Sequence, residues 1–495
     1  MNEESGETRV LAVDVGSSSV RASLYDEKAA YVEGTETKLE HTLEYTPDGG
    51  AIKDPDDLFS LVVRAVDETL KHAGDAAVAG VAFSTFWHAV LGVDGSGEPT
   101  TDILTWADRR SAGAARKLRE RLDEREVHRR TGCVLHSSYL PAKLLWLSEE
   151  HPERFERTAR WISPAEYFYS RFFGSDNLTI GTSMASATGL LDQNEKRWDE
   201  ELIEALPITE DQLSPISDDP AQGLAEEWAK RWPQLANVPW FPAAGDGACS
   251  NIGSGCTTRE RLALMVGTSG AMRALWKAKS VEIPDGPWCY RADAERFVMG
   301  GALSNGGNLV SWLTQTLRLP EIEEAEKEIA KMEPDSHGLT FLPLLAGERG
   351  PTWSDDANGA ILGLSLASRP GDILRAALEA VALRFSLIAR ALEEAIPGEK
   401  EVIATGGGLL SSPVWTQIMS DALGRPVTLS GVEEASSRGA ALLALERLGV
   451  LKLEEAEVPL GETFEPDEGR HEAYREALAR QQRLYEAVME EGGPG

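Results

Sequence analysis

The sequence is poor in basic residues, in cysteine and in long apolar runs. Its 495 residues include 49 Lys and Arg against 81 Asp and Glu, which gives a formal charge of −32. Nucleic acids and anionic membranes bind proteins mainly through clustered cationic side chains, so we expect neither as a partner. The four cysteines form no CxxC pair, which disfavours a zinc site and a disulfide framework. Because the chain has no charge-free apolar run of about 18 residues and no basic-apolar leader, we expect a cytoplasmic protein.

The rest of the composition is typical of a large globular chain. Hydrophobic residues make up 42% and charged residues 26% of the sequence. These values predict well-formed cores whose surface carries an acidic excess, and they exclude a disordered chain. The length suggests about three units at roughly 150 residues each, and we expect two large α/β domains.

The first informative motif is a short strand that turns back on itself. Residues 10–25 place an apolar strand before Gly16, Ser17 and Ser18 and a second alternating strand after them. A P-loop or a dinucleotide-binding turn would open a helix at this point. The pattern therefore predicts a β-hairpin.

A similar motif, LALMVGTSGAMR, occurs half a chain later at residues 262–273. The matching positions are identical in residue type: Leu11 and Leu262, Ala12 and Ala263, Val15 and Val266, Gly16 and Gly267, Ser18 and Ser269. Two strand-glycine-strand segments can agree by chance, but a spacing of half the chain favours duplication. We predict an N-terminal domain at 1–244, a C-terminal domain at 245–491 and a disordered tail at 492–495.

Both halves continue with alternating helix and strand patterns. The predicted elements are strands at Val78–Ser84 and Trp87–Asp94, helices at Ser111–Glu126, Pro141–Glu150 and Asp372–Glu394, a strand with a glycine turn at Val402–Gly408, a helix that Ser412 and Pro413 begin and that ends near Gly424, and a final helix at about His471–Glu490.

Polar residues that could carry chemistry lie in the hairpins and in three further segments. Glycine-rich hairpins can offer N–H and hydroxyl groups to an anion, and Asp14 at the end of the first strand can hold Mg²⁺ through water. Each hairpin alone also fits an ordinary tight turn with a solvated acid. Asp246 fits either a helix N-cap or a base that accepts a proton from a hydroxyl. His88, Asp108 and Arg109 form a polar group whose members are common surface residues when taken singly.

These motifs, taken in order, resemble the FGGY carbohydrate kinases, and within them the gluconokinase branch. The most specific stretch is GAILGLSLASRPGDILRAALE at residues 359–379, which fits the C-terminal signature of that family. Five further stretches agree with the family: residues 105–111, 183–190, 300–307, 341–353 and 403–421. The resemblance covers nearly the whole chain and implies a two-domain, actin-like (ribonuclease H-like) α/β ATPase fold with a cleft between the domains.

The resemblance also implies roles for individual residues. Asp246 matches the catalytic base, and Mg²⁺ is expected at Asp14, through water, and at Asp246. The implied sugar-contacting residues are Trp87, His88, Asp108 and Arg109. The implied ATP-binding residues are Asp14, Gly16, Ser17 and Ser18 in the first phosphate loop, Gly267, Thr268 and Ser269 in the second, and Gly407 and Gly408 on the adenosine side.

The sequence departs from the family pattern at three places. Arg21 stands where relatives usually have lysine, and Trp87 stands where they have methionine before the sugar-site histidine. Pro141 lies two residues before Lys143 instead of three. Because Trp87 is bulkier than methionine, we expect a reshaped pocket wall, and the identity of the sugar stays open.

The implied reaction is transfer of the γ-phosphoryl group of MgATP to a terminal hydroxyl of an open-chain sugar acid, with D-gluconate as the expected acceptor. Arg109 is the expected cation for the substrate carboxylate. The alternatives are a xylulose or other polyol kinase of the same family and a non-catalytic actin-fold sensor, which should lack the base. A chaperone ATPase would need a peptide-binding domain for which no sequence remains. The oligomeric state stays open, a homodimer being one candidate.

Overall fold

The computed structural model describes residues 8–174, 178–350, 352–354 and 357–491. The predicted tail at 492–495 lies outside these residues. The chain forms two compact units. The first unit comprises Met1–Thr257, Leu275–Val298 and Glu434–Glu457, and the second comprises Thr258–Ala274, Met299–Glu433 and Val458–Gly495. The predicted division between residues 244 and 245 stays a prediction, since neither unit is one continuous stretch of chain.

The strands, in chain order, are β1 (Val10–Val15), β2 (Ser19–Tyr25), β3 (Thr37–Glu40), β4 (Glu44–Tyr45), β5 (Ala51–Lys53), β6 (Gly80–Thr85), β7 (Leu91–Val93), β8 (Ile103–Leu104), β9 (Arg160–Ile162), β10 (Leu191–Asp192), β11 (Arg197–Trp198), β12 (Ala244–Gly245), β13 (Arg261–Val266), β14 (Gly270–Lys277), β15 (Trp288–Arg291), β16 (Arg296–Leu303), β17 (Thr340–Leu342), β18 (Ala360–Leu362), β19 (Glu401–Thr405), β20 (Val427–Ser430) and β21 (Leu460–Phe464).

The α-helices are α1 (Pro55–Ala73), α2 (Ala112–Arg121), α3 (Glu124–Thr131), α4 (Leu140–Glu150), α5 (Pro152–Arg157), α6 (Pro164–Phe173), α7 (Thr182–Ser186), α8 (Glu200–Glu204), α9 (Glu226–Arg231), α10 (Asp246–Gly253), α11 (Gly307–Thr316), α12 (Ile322–Ile329), α13 (Pro370–Ala395), α14 (Gly407–Leu410), α15 (Pro413–Leu423), α16 (Ala435–Arg447) and α17 (Glu468–Glu491). Short 3₁₀ turns lie at Glu210–Gln212, Pro233–Leu235 and Leu453–Glu455.

The central sheet of the first unit has the strand order β12-β6-β1-β2-β3. β1 and β2 form the antiparallel hairpin that the sequence predicts, and β6 pairs with β1 in parallel. All six residues of β1 are buried, as expected for a strand that is covered on both faces.

The second unit repeats this arrangement. β13 and β14 form an antiparallel hairpin, and β19 pairs with β13 in parallel. β20 then extends the sheet in parallel and β21 in antiparallel orientation. The predicted second hairpin is confirmed, and the corresponding strand pairs of the two units explain the internal similarity of the sequence.

The prediction of one continuous helix at Ser111–Glu126 is wrong, because the segment forms parts of two helices, α2 and α3. Leu122 is extended, with φ −124° and ψ 149°, and ends α2. Asp123 then caps α3, its side chain accepting hydrogen bonds from the backbone N–H groups of Arg125 and Glu126. Aspartate at this position satisfies N–H groups that have no partner inside the helix, so it begins a new helix within an otherwise helical pattern.

The cap predicted for the helix that ends near Gly424 is confirmed. The Ser412 hydroxyl accepts a hydrogen bond from the Trp415 N–H, and Gly424 ends α15 in the left-handed conformation. The long predicted helix and the final helix are α13 and α17. Among the residues that the structure describes, no helix is long and apolar enough to cross a membrane.

Two glycines let α10 and α16 approach closely in the first unit. A Cβ added at Gly439 would lie 1.8 Å from the carbonyl oxygen of Cys249, and one at Gly253 would lie 1.8 Å from that of Ala435. Since α10 begins at Asp246, this reciprocal contact fixes the helix that carries the predicted base.

Gly439→Ala should therefore lower the free energy of unfolding by about 1–3 kcal/mol or more, because the backbone atom it meets cannot move aside. Chemical denaturation measures the loss. The matched control is Gly113→Ala in α2, where an added Cβ meets nothing within 4 Å. That variant should be neutral or more stable by up to about 1 kcal/mol. Equal effects of the two substitutions would contradict the packing argument.

Candidate active site

Three parallel strands of the first unit end at the same edge of its sheet. β1 pairs with β6 so that Asp14 lies opposite Ser84, and β12 pairs with β6 so that Gly245 lies opposite Thr85. The residues that follow these strands belong to the predicted site: Gly16, Ser17 and Ser18 after β1, Trp87 and His88 after β6, and Asp246 after β12. Ligands of α/β sheets bind beyond the carboxyl ends of the strands, so this edge is the candidate site.

Asp14 is buried at the end of β1, close to both negative and positive groups. Arg21 Nη1 lies 3.9 Å from Asp14 Oδ2, and Arg21 Nε lies 3.2 Å from Glu434 Oε1. Burial raises the pKa of Asp14 to about 7, Asp246 and Glu434 acting in the same direction and the Ser84 hydroxyl and Arg21 against it. The folded protein therefore holds a carboxylate in an environment that favours its neutral form.

The oxygen atoms around Asp14 fit a hydrated cation. Within the described residues, Asp14 Oδ1 and Thr85 Oγ1 are buried without a partner in hydrogen-bond geometry. Buried polar atoms are normally paired, and unpaired ones point to a missing ion or water. Mg²⁺ takes oxygen ligands and keeps several of its waters, so these residues fit the magnesium site that the resemblance implies.

The first predicted phosphate loop is a tight turn that His41 holds at both ends. The Gly16 N–H donates to the Ser19 carbonyl at 2.9 Å, which closes the turn. His41 donates from Nε2 to the Gly16 carbonyl at 3.0 Å and from its backbone N–H to the Ser18 carbonyl at 3.0 Å. Ser18 itself is exposed, as a loop that contacts a ligand requires.

His88 lies in a strained backbone conformation within an aromatic cluster. Its φ is +61°, which residues other than glycine adopt rarely and mostly where neighbours enforce it. Its Nδ1–H donates to the Ala187 carbonyl at 2.7 Å. The ring centroid lies 5.0 Å from that of Tyr139 and 5.3 Å from that of Tyr290, and these two tyrosines share a hydrogen bond of 2.5 Å. The orientation of His88 is thus fixed from several sides.

Trp87 packs against the segment that leads to Asp246. Its indole N–H donates to the Ser183 carbonyl at 3.1 Å, and the ring is buried. A Cβ added at Gly245 would lie 1.8 Å from the Trp87 ring, so this tryptophan requires glycine at position 245. The residue that departs from the family pattern therefore supports the turn before Asp246.

Asp108 is buried and bound by a neighbouring arginine. Arg110 donates to Asp108 from Nε at 3.0 Å, from Nη2 at 2.6 Å and from its backbone N–H at 3.1 Å, and the Ala51 N–H donates at 3.3 Å. Arg109 is exposed, its backbone N–H donating to the Gly49 carbonyl at 3.0 Å. The structure thus gives Asp108 a role in fixing its loop and leaves Arg109 at the surface.

Asp246 is the first residue of α10. The N-cap residue is Gly245, so the alternative interpretation of Asp246 as the N-cap is wrong. Asp246 Oδ1 accepts a hydrogen bond from the Gly247 N–H at 2.7 Å, and the side chain is half-buried. Asp14 and Asp246 both lie at this edge of the sheet, since β1 and β12 flank β6, and the negative charge of Asp246 contributes to the raised pKa of Asp14.

In the second unit, the second predicted phosphate loop rests on the start of α11. The Gly307 N–H donates to the Gly267 carbonyl at 2.7 Å, and the Asn308 N–H donates to the Thr268 carbonyl at 3.1 Å. A Cβ at Gly306 would lie 2.8 Å from the Ser269 carbonyl oxygen. Glycines at 306 and 307 are therefore needed for this close contact.

The glycine turn after β19 lies against the end of β13 in the same unit. Gly406 has φ +85°, and a Cβ there would lie 2.5 Å from the Val266 carbonyl oxygen. A Cβ added at Gly408 would also be close to this atom, at 2.9 Å, whereas one added at Gly407 would meet nothing within 4 Å. Because β13 and β19 are parallel, the turn and the second phosphate loop lie at one edge of the sheet.

A separate group of metal-ligating residue types, Asp335, His337 and Glu379, lies in the second unit. Glu379 already accepts hydrogen bonds from Arg375 Nε at 2.5 Å, from His337 Nε2 at 3.0 Å and from the Tyr474 hydroxyl at 3.0 Å. An arginine in contact with the carboxylate opposes a bound cation, so this group is a structural network.

Several residues that position the site lie outside the set that the sequence predicts. Arg110, Tyr139, Tyr290, Gly245 and Gly406 were not among the predicted site residues. The doubled arginine in TWADRRS is a signal for Arg110, and the first glycine of TGGG is one for Gly406. Nothing in the sequence links Tyr290 to His88, because 202 positions separate them and only folding brings them together.

Comparison with known proteins gives the family. The model for the FGGY family of carbohydrate kinases, N-terminal domain, matches residues 9–253, and that for its C-terminal domain matches residues 262–446. The gluconokinase of Bacillus licheniformis is 31% identical over 454 residues, which cover 89% of this chain and 88% of the relative.

Solved structures agree with this result. A crystal structure of gluconate kinase from Lactobacillus acidophilus and one of ligand-bound xylulose kinase from the same organism both superpose with a TM-score of 0.89 and 27% sequence identity. Each comparison covers 97% of this chain and 98% of the other. The predicted two-domain mixed α/β fold is thereby confirmed, and the chain belongs to the FGGY family of carbohydrate kinases.

Proposed function

We propose that this chain is an ATP-dependent kinase that phosphorylates a terminal hydroxyl of an open-chain sugar acid, with D-gluconate as the acceptor. The hydroxyl oxygen forms a bond to the γ-phosphorus of ATP, the bond from that phosphorus to the bridging oxygen breaks, and ADP and a proton are released. The similarity to gluconokinase over 89% of the chain supports the choice of gluconate.

The observation that carries the kinase mechanism is the pair of neighbouring carboxylates at the edge of the first sheet. Asp246, half-buried at the start of α10, accepts the proton of the sugar hydroxyl. Asp14 has an unpaired buried oxygen that fits hydrated Mg²⁺. When bound, Mg²⁺ supplies charge neutralisation at the phosphates of ATP.

The two glycine-containing hairpins supply phosphate contacts in this proposal. The turn of Gly16, Ser17 and Ser18 in the first unit is exposed at Ser18, and the turn of Gly267, Thr268 and Ser269 in the second unit is exposed at Thr268. Gly407, where an added Cβ would meet nothing within 4 Å, and the adjacent Gly408 form the adenosine side. Backbone N–H groups in such turns bind anions because glycine allows a close approach.

The sugar contacts in this proposal come from residues after β6 and from the loop at 105–110. His88, held by its aromatic neighbours, contacts the sugar together with Trp87. Arg109 is exposed beside the buried Asp108 and carries a guanidinium that matches a carboxylate in shape and charge. A neutral polyol would make no use of this cation.

A xylulose kinase is the second candidate. The xylulose kinase and gluconate kinase structures match this chain with the same TM-score and the same identity, so the fold does not separate the two substrates. Trp87, which replaces the methionine of the family pattern, also alters the pocket wall. The two candidates differ in the charge of the acceptor, and that difference is open to experiment.

A panel of acceptors with ATP as donor tests the substrate. Gluconate should give a kcat/KM at least tenfold above those of xylulose and glycerol in a coupled ADP-release assay. Arg109→Gln should lower the value for gluconate about 10- to 100-fold, since a hydrogen-bonded ion pair is worth about 1.5–3 kcal/mol, and should leave neutral polyols unchanged. Arg121→Gln, an exposed arginine at the end of α2, is the control. Turnover of xylulose equal to that of gluconate would reject the sugar-acid assignment.

Asp246→Asn should lower kcat by about 10²–10⁴-fold, the usual range for a general base, and change the dissociation constant of the sugar less than threefold. Steady-state kinetics measures kcat, and calorimetric titration measures the dissociation constant of the sugar. Asp123→Asn serves as control, because Asp123 also lies at a helix start in the first unit. If Asp246→Asn keeps normal turnover, Asp246 is not the base and the role proposed for it is wrong.

Asp14→Asn should abolish turnover and stabilise the ligand-free protein, with a larger gain at pH 8 than at pH 5. The unfolded carboxyl ionises near pH 3.8 and the folded one near pH 7. Between these values the folded state holds a proton that the unfolded state has lost, so the stability of the wild type falls as the pH rises through this window. The rise in pKa from 3.8 to about 7 corresponds to roughly 4 kcal/mol at most.

Thermal melts of wild type and Asp14→Asn at pH 5 and pH 8 measure this effect. Asp75→Asn, at an exposed acid after α1, is the control and should shift neither melt. A lower Tm of Asp14→Asn at pH 8 would mean that pairing with Arg21 outweighs the cost of burying the charge.

A further inference from the structure

Lys143 is a fully buried lysine whose ammonium group binds three backbone carbonyls. It lies in α4, and its side chain is 0% exposed. Nζ donates to the carbonyl oxygens of His88 at 2.6 Å, Thr105 at 2.8 Å and Ser138 at 2.9 Å. An ammonium group has three protons, so each of them has an acceptor.

Each of these carbonyls belongs to a segment of the proposed sugar site. His88 is a proposed contact, and its positive φ needs an external restraint. The Thr105 carbonyl also accepts a hydrogen bond from the Asp108 N–H at 3.2 Å, which stabilises the turn that contains Asp108. Ser138 precedes Tyr139, whose ring packs against that of His88. One side chain thus connects the segments of His88 and Thr105 to the residues that precede its own helix.

All three hydrogen bonds can form only with the ammonium form of the amine. Burial of an ammonium ion is costly, and a carboxylate in contact is the usual compensation. Here the directional dipoles of three carbonyls take that place; the negative charge of Asp108 favours the ammonium form, and the positive charge of Arg110 opposes it. Burial lowers the pKa of Lys143 to about 7. A neutral amine would have two N–H groups for three carbonyls, and a methionine of similar length would have none.

We propose that Lys143 is a positioning residue of the sugar pocket, holding the segments of His88, Asp108 and Tyr139 in register without touching the sugar. The nature of the bound sugar rests on the proposed function, whereas the geometric role of Lys143 rests on its three hydrogen bonds. Loss of these bonds loosens the pocket and leaves the phosphate loops and Asp246 in place.

A buried cation of similar chemistry provides a matched control. Arg438 in α16 also donates to three carbonyls of the first unit: those of Ala29 at 3.1 Å, Gly253 at 2.6 Å and Glu457 at 2.6 Å. None of these residues belongs to the proposed sugar contacts. Arg438→Met therefore reports the general cost of removing a buried cation.

The kinetic experiment compares Lys143→Met with Arg438→Met, using the best acceptor found for the wild type. Lys143→Met should raise the KM of the sugar at least tenfold and change the KM of ATP less than threefold. Arg438→Met should lower the Tm without this selective rise. If Lys143→Met changes both KM values equally, or neither, Lys143 is a general structural residue and the proposal is wrong.

Hydrogen exchange gives a readout that does not depend on activity. In Lys143→Met, amide protection should fall at least tenfold in peptides covering residues 86–90, 104–110 and 136–140, whereas peptides of β1 and α10 should keep theirs. Unchanged protection in the three segments would overturn the proposal. A wild type that phosphorylates no sugar would reject the proposed function and leave this measurement decisive for Lys143.

If Lys143→Met does not fold, Lys143→Ala supplies the second variant. The space left by the side chain should accept propylammonium, which restores the three hydrogen bonds, and refolding yield or sugar KM should recover with its concentration. 1-Propanol has a similar shape and no charge, and it should not restore either. Equal rescue by both compounds would reduce the role of Lys143 to filling space.

Discussion

Backbone hydrogen bonds between β1, β6 and β12 determine where the chemistry of this protein lies. Their parallel registers bring Asp14, the segment of Trp87 and His88, and Asp246 to one edge of the sheet, although more than 230 positions separate the first from the last. The strands themselves are buried and mostly apolar, and their polar residues, Asp14, Ser84 and Thr85, lie at the ends that form this edge. A shift of one residue in either register would turn Asp14 away from Ser84, since side chains alternate between the faces of a strand. The second unit uses the same arrangement, with β13 and β19 bringing the second hairpin and the glycine turn together.

Three buried ionisable side chains near this edge differ in the interactions that compensate for their burial. Asp108 is paired with Arg110 and forms part of a stable loop. Lys143 is held by carbonyl dipoles and connects three segments. Asp14 keeps an oxygen without a partner, and burial raises its pKa to about 7. The first two arrangements favour a fixed geometry, whereas the third leaves the ligand-free protein with an unfavourable group. Proteins retain such groups where function needs them, because a cation can then supply the interaction that the fold withholds.

The acidic excess of the chain contrasts with this site. A formal charge of −32 disfavours the approach of anions, yet both proposed substrates are anions. Arginines and backbone N–H groups must therefore act locally, and Arg21, Arg109 and Arg110 all lie in segments that belong to the candidate site. Much of the excess lies elsewhere, for example in α12, where Glu323, Glu324, Glu326 and Glu328 stand close together. Charge screening at physiological ionic strength, with a Debye length of about 8 Å, keeps these distant acids from dominating the site.

The sequence by itself determined the hairpins, the helix that Ser412 caps, the family and the identity of most candidate residues. These features depend on local patterns, such as glycine in tight turns, serine before a helix and alternating apolar residues, and a motif records them within a few positions. The tertiary structure alone decided that Trp87 covers Gly245, that Arg110 binds Asp108 and that Lys143 joins the segments of His88, Thr105 and Ser138. Such contacts depend on strand register and helix packing over tens to hundreds of positions. Local propensity carries no information about which distant carbonyl a buried lysine will meet, so only the folded chain could show it.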